Sequence, residues 1–369
     1  MKNKIIFPVI LIILITITTF ILCRQRKKTI AAFKHQRCSN YTLQEIEIGV
    51  NDELGVSYTS DKNDFQIYSP CDYTYAQNDL ETKNYFREDK DKIILTIDGV
   101  DELAAKDRLW SLIKDYFGPD LAEKYSAKTW LDYNSFQATA PEQGPFILKK
   151  NVQRQTGLLI VKTKSEVKSF NDYILIQKVL DNPYLVEGYK TNFRVYVLIT
   201  CDGKNKRCYV YNDGFMYYGK EKFTSGTTPD QIITTGYISR EMYAKNPLTL
   251  QDLYKYMDTV DGKGTGQKTK ILIQNLFKEI FPALAKGICR QGSTNNIFGQ
   301  LYGCDVQLDD KISGVKLIEC NKGPSLQKMD ERDTKLKTQM VKDYYGVMGI
   351  GSKDGKGSDF VLVSTTSTS

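Results

Sequence analysis

The run "YGCDVQLDDKISGVKLIECN", Tyr302 to Asn321, constrains this chain more than any other stretch. Two apolar segments flank a polar loop near Asp309 to Gly314, which reads as a hairpin. Side chains alternate faces along a strand, so Glu319 and Asn321 point the same way, and antiparallel pairing can set Asp305 opposite Glu319. Opposed side chains lie about 5 Å apart at Cβ, where like charges repel. Charged groups are seldom buried without a partner. Two carboxylates and an amide oxygen suit Mg²⁺, which takes one or two carboxylates and completes its shell with water and phosphate. Lysines or backbone amides at a strand end would satisfy the same carboxylates, and these residues alone do not choose between the two.

His35 is the single histidine and lies beside the apolar N-terminus. Ser-His-Asp and Cys-His mechanisms and His-ligated zinc are therefore excluded, and a bound metal would be a hard cation. The eight cysteines include no C-x-x-C pair. They read as free thiols in a reducing compartment, with Cys201 and Cys208 placed to face one another across a hairpin around "DGKNKR". Eight basic residues and no acidic one precede Glu45, so the net charge of +7 resides there and the remainder is nearly neutral. No basic footprint for nucleic acid remains on the body.

Ile5 to Leu22 is eighteen residues without a charge. At about 1.5 Å per residue, a helix there just crosses a hydrocarbon core of roughly 30 Å. A cleavable signal peptide is the competing reading, but "CRQRKK" follows where a small-residue cleavage site belongs. Residues 1–22 are thus expected to be a single transmembrane anchor and residues 23–44 a basic juxtamembrane linker, with the body in the cytosol.

The 369 residues leave room for two domains, and the fold class expected is α+β, a mixed α/β chain. Residues 45–143 read as a smaller N-terminal α/β domain: "KIILTI" as a strand, Asp98-Gly99 as a turn, and a helix with Leu103, Leu109, Leu112, Ile113 and Phe117 on one face. Residues 144–350 are strand-rich, with "LTLQDLYKYM" and "KTKILIQNLFKEIFPALAKGI" as helices. Residues 351–369, rich in Gly, Ser and Thr, are expected to be a disordered tail.

Cations gather at the strand ends. Lys149 ends "FILK", Arg154 and Gly157 lie in "NVQRQTG", and Lys190, Asn192 and Arg194 alternate at i, i+2 and i+4. Singly, each reads as a solvated charge; converging beside a metal-binding face, they are what a triphosphate requires. Neither a P-loop nor a dinucleotide-binding glycine motif accounts for them.

In this order, "PFILKKNVQRQTGLLIV", "YILIQKVLDNPYLVEGYKTNFRVYVLIT", "NPLTLQDLYKYM" and "FGQLYGCDVQLDDKISGVKLIECNKGPSL" resemble the tubulin–tyrosine ligase-like family of the ATP-grasp superfamily, from about Lys92 to Gly349. The resemblance implies an ATP-grasp fold, ATP and Mg²⁺ as cofactors, and formation of a C–N bond through an acyl-phosphate. Its implied partners are a free amino acid and a protein substrate, tubulin or another protein with an acidic tail. It implies that Lys149 contacts the α-phosphate side of ATP, that Arg154 and Gly157 belong to a loop over the phosphates, and that Gln177 and Lys178 lie at the adenine hinge. Lys190 and Asn192 would bind nucleotide, Arg194 would face the γ-phosphate, and Asp305, Glu319 and Asn321 would ligate magnesium; Lys190 and Arg194 are the catalytic candidates. The chain departs from the pattern at Asn192, where the family has Asp, at Tyr217, where it has Arg, at Gln155, where it has Gly, and at Ile233 to Gly236. A nucleotide-binding scaffold without ligation, or an ATP-grasp ligase acting on a small molecule or peptide, remains open on these residues.

Overall fold

A computed structural model describes residues 31–33, 44–61, 64–70, 91–150, 157–224, 226–236, 239–290, 295–351 and 358–367. Its framework is two sheets, one of eleven strands and one of four. In the large sheet the strand Tyr189–Cys201 lies between Asn205–Lys222 and Ile297–Leu308, antiparallel to both. Val315–Asn321 folds back on Ile297–Leu308, completing the expected hairpin. The strand Ile93–Ile94 joins the opposite end of Ile297–Leu308 in parallel and links it to Ile67–Tyr68, Ala31–Phe33 and Ser57–Thr59. The four-stranded sheet is antiparallel throughout, in the order Thr129–Trp130, Leu175–Lys178, Gln143–Lys149, Leu158–Thr163.

Long strands form here because their apolar side chains are buried on both faces. Val195, Tyr196, Val197, Leu198 and Ile199 run without a polar interruption, as in a central strand covered on both sides. The helix Thr265–Leu284 buries Ile273, Leu276, Phe277, Ile280, Phe281 and Leu284, a stripe at helical spacing. The helix Leu250–Val260 starts at Thr249, whose hydroxyl accepts from Asp252 N while the Asp252 carboxylate accepts from Thr249 N. The small sheet has its own core, in which Trp130, Phe136 and Phe146 meet edge-to-face at 5.1–5.9 Å between ring centres.

Several expectations require correction. Among the described residues no helix is long and apolar enough to cross a membrane. Residues 5–22, which carried that expectation, lie outside the described residues. The transmembrane helix is therefore dropped from the fold class, and the single-pass membrane localisation with it. The boundary at 143/144 does not separate the sheets either. Thr129–Trp130, before it, pairs with Leu175–Lys178, after it, and Ile93–Ile94, also before it, pairs with Ile297–Leu308 of the large sheet. Ala31–Phe33, inside the expected linker, is a strand. So is Phe360–Ser367, inside the expected disordered tail: "FVLVSTTS" pairs with Asn205–Tyr211, and Phe360 packs on Tyr211 at 4.8 Å. Composition hid this strand because threonine and serine serve an edge strand as well as a loop.

The cysteines differ too. Cys201 lies opposite Lys206, and Cys208 opposite Ile199, so the two cysteines do not face each other. Cys201 is bonded to Cys289 and Cys304 to Cys320, while Cys208 is a buried free thiol. The register explains the second bond, since Cys304 and Cys320 are directly opposed in the hairpin.

Candidate functional site

The turn "EGYK" determines which way the basic strand faces. Glu187 and Gly188 both take positive φ, 50° and 83°, the pair of values a tight two-residue hairpin turn needs. Val186 then pairs with Tyr189, and the strand begins there. Lys190, Asn192 and Arg194 consequently alternate onto one face, all nearly buried. In register, Arg194 lies opposite Asp305 and Asp305 opposite Glu319. One face of three adjacent strands thus carries the guanidinium and both carboxylates. Between Asp305 and Val306 the ladder slips by one residue, leaving Ile318 as a bulge beside Glu319. Bulges re-aim side chains next to functional sites.

Asp305 is held by a fork. Arg194 Nε donates to Oδ1 at 2.5 Å and Arg194 Nη2 to Oδ2 at 3.1 Å. The guanidinium lies 4.8 Å from the Tyr217 ring centre. Burial pushes the Asp305 carboxyl above its ordinary range, against the pull of Arg194. Burial pushes on Glu319 as well, but Lys149, Lys106 and Arg194 together hold it below the usual carboxylate range. Asn321 Nδ2 lies 3.4 Å from Glu319 Oε1, so the amide already faces that carboxylate.

Two further cations come one from each sheet, Lys149 from the strand Gln143–Lys149 of the small sheet and Lys190 from the basic strand of the large one. Lys149 Nζ donates to Gln177 Oε1 at 2.7 Å, and Gln177 Nε2 donates to Thr129 Oγ1 at 3.0 Å. Burial lowers the Lys149 ammonium to about 8, while Glu319 and Asp305 pull the other way. Lys190 Nζ donates to the Ile232 carbonyl at 2.7 Å, and burial with Lys149 nearby lowers it to about 7. Lys149 feels both carboxylates and Lys190 feels Lys149, so the two sheets bring these groups to one place.

The structure therefore gathers Lys149, Gln177, Lys190, Asn192, Arg194, Asp305, Glu319 and Asn321. Lys178 is not brought in: its ammonium is 2.7 Å from Asp181, on the opposite face from Gln177. Gly157 is the turn residue before the strand Leu158–Thr163, and Arg154 lies outside the described residues. Asn192 Oδ1 is buried without a hydrogen-bond partner among the described residues. Sequence reasoning missed Lys106, the first residue of the helix Lys106–Phe117, which acts electrostatically on both Glu319 and Lys149. A signal existed, because a cation in a helix's first turn opposes the helix dipole and requires another reason to be there.

Among the described residues no group of three or more His, Cys, Asp or Glu side chains gathers for a metal. Asp305, Glu319 and the Asn321 amide instead form an all-oxygen set with two carboxylates. That donor set fits Mg²⁺ with water and phosphate as remaining ligands, and does not fit zinc.

A family model described as the tubulin-tyrosine ligase family matches residues 84–353. Relatives include tubulin polyglutamylase TTLL7 of Homo sapiens, 24% identical over 352 residues that cover 85% of this chain and 38% of the relative. Probable tubulin polyglutamylase ttll-9 of Caenorhabditis elegans is 24% identical over 291 residues, covering 76% and 67%. Probable alpha-tubulin polyglutamylase Ttll1 of Tetrahymena thermophila is 24% identical over 312 residues, covering 78% and 72%. The chain spans about two fifths of the length of the human relative. With the family match running through the carboxylate hairpin, the basic strand and the small sheet alike, the chain belongs to the tubulin-tyrosine ligase family.

Proposed function

We propose that this chain is an ATP- and Mg²⁺-dependent ligase that joins an amino acid to a carboxylate of an acceptor protein. The carrying observation is the opposition of Asp305 and Glu319 on one sheet to the buried ammonium of Lys149 on the other. Buried lysines with lowered pKa values are poorly neutralised by the protein, and a polyphosphate is the partner that would restore their charge. Asp305, Glu319 and Asn321 would hold Mg²⁺, whose contribution is to offset charge on the transferring phosphoryl group.

The chain's own residues then have distinct tasks. Lys149 and Lys190 bind the phosphates, and Gln177 holds Lys149 in place through its link to Thr129. Arg194 carries positive charge to the phosphoryl group as an acceptor carboxylate oxygen bonds to phosphorus and the bond to ADP breaks. The acyl-phosphate so formed is attacked by the amine of the incoming amino acid. A C–N bond forms, inorganic phosphate leaves, and the amine loses a proton. Most of the rate enhancement in such a site comes from positioning and fixed charge, which is why no histidine is needed. The relatives' names make tubulin the first acceptor to test. Incubation of the full chain with ATP, Mg²⁺, each amino acid and tubulin, followed by mass spectrometry of the tubulin tails, should reveal tails heavier by one or more amino-acid residues. Tubulin tails unchanged in mass with every amino acid would rule out tubulin as the acceptor, and ATP consumption that needs neither acceptor nor amino acid would rule out the ligase reading.

A further inference from the structure

The Arg194–Asp305 pair sits where the proposed metal site would be, and both Asp305 oxygens are engaged by it. The pose is built into the fold. A Cβ at Gly303 would lie 2.9 Å from Arg194 Cδ and 3.1 Å from both Nη1 and Pro324 Cβ, so the bare glycine lets the guanidinium lie close over that strand in this pose. Tyr217 supports it from beneath, 4.8 Å away. The side chains of Arg194 and Asp305 retain 13% and 11% of their exposure, so neither ion is hydrated enough to stand alone.

The carboxylates already have cations enough around them without a metal. Asp305 and Glu319 face Arg194, Lys149 and Lys106. A divalent cation added by itself would introduce two positive charges into a buried cluster already neutralised, and would have to displace a bidentate arginine. A nucleotide reverses that balance. Its phosphates supply the negative charge that the added cation needs, and they offer the guanidinium a second set of oxygens with the same fork geometry.

We propose that Arg194 is the resident counter-ion of Asp305, and that a divalent cation takes Asp305 only when nucleotide phosphates are present to receive the guanidinium. The inference rests on the ligase reading above for the identity of the metal site. It adds an order to the events: nucleotide and metal bind together, and Asp305 is not open to free metal. Arg194 is then a positioning group before it is a catalytic one, and the site resists occupation by metal without substrate.

The test is metal uptake by the full chain without turnover, using Mn²⁺ as the probe and the electron paramagnetic resonance signal of free Mn²⁺ as the readout. Wild type should bind Mn²⁺ weakly alone, and at least ten times more tightly with a non-hydrolysable ATP analogue. Arg194→Gln should bind Mn²⁺ alone at least ten times more tightly than wild type does, and should lose most of the dependence on analogue. Arg194→Lys, which keeps the charge without the fork, should fall between them. Unchanged or weaker Mn²⁺ binding in Arg194→Gln, alongside analogue-dependent uptake by wild type, overturns the inference and leaves the ligase reading intact. No Mn²⁺ uptake by wild type even with analogue overturns both. If Arg194→Gln does not fold, the wild-type arginine side-chain Nε–H resonance decides: it should shift with Mg²⁺ and analogue together and stay fixed with Mg²⁺ alone. A shift with Mg²⁺ alone contradicts the proposal.

Discussion

The two sheets meet at the same site but prepare it differently. On the large sheet the ionised groups are already partnered, with Arg194 forked onto Asp305 and Asn321 turned to Glu319. On the small sheet Lys149 has a neutral partner, Gln177, and burial leaves its ammonium only partly protonated near pH 8. The carboxylates of the large sheet are thus covered by cations, while Lys149 and Lys190, one on each sheet, have only neutral hydrogen-bond partners. The lesson is a division of labour: one side stores the geometry and the other stores the binding energy for an anion.

The largest effect should come from Glu319→Gln, which keeps shape and removes the carboxylate charge that is not held in the Arg194 fork. Turnover should fall about 100-fold or more, measured as ADP release, with thermal stability little changed. Next comes Arg194→Ala, which strands the Asp305 carboxylate in the interior. Unfolding by urea should show a loss of about 3–5 kcal/mol. Lys149→Met is the contrasting substitution. It removes a desolvated ammonium, so stability should change by less than about 1.5 kcal/mol while nucleotide affinity falls about tenfold. Equal destabilisation by Arg194→Ala and Lys149→Met would break the comparison between the sheets.

Proton linkage sharpens it further. Lys149 and Lys190 are lowered to about 8 and about 7, so at pH 8 the ligand-free protein holds fewer protons on them than it does with phosphates bound. Nucleotide binding at pH 8 should therefore take up protons, and affinity should fall as pH rises from about 7 to about 9. Calorimetry in buffers of different ionisation enthalpy reads this directly. For the ligand-free fold the sign is opposite: the unfolded chain binds more protons on these lysines, so their contribution to stability improves as pH rises from about 7 towards 10.5. The smallest effect should be Tyr217→Leu, which removes the ring beneath Arg194 and should cost about 1 kcal/mol in stability.

The parts of this site that were legible in the sequence are those fixed by alternation. Glu319 and Asn321 two apart, and Lys190, Asn192 and Arg194 two apart, follow from strand geometry once the strands are identified. The opposition of Asp305 to Glu319 follows from the hairpin. Other features depend on register or on distant elements. The bulge at Ile318, the bond between Cys201 and Cys289 across 88 residues, and the approach of Lys106 from a helix leave little or no local trace. Phe360–Ser367 was missed for a different reason: its apolar "FVLV" is short, and the serines and threonines around it serve an edge strand and a disordered tail alike. The departures at Asn192 and Tyr217 acquire a physical context, since the two are direct partners across the ladder beside Arg194.

The most direct test of the account is ADP release by the full chain with ATP, Mg²⁺ and pooled amino acids, with tubulin present or withheld, for wild type and Glu319→Gln. The account predicts turnover that requires tubulin, Mg²⁺ and an amino acid, and that Glu319→Gln reduces about 100-fold. Turnover undiminished in Glu319→Gln would contradict the assignment of the carboxylate pair as the metal site, and with it the central claim.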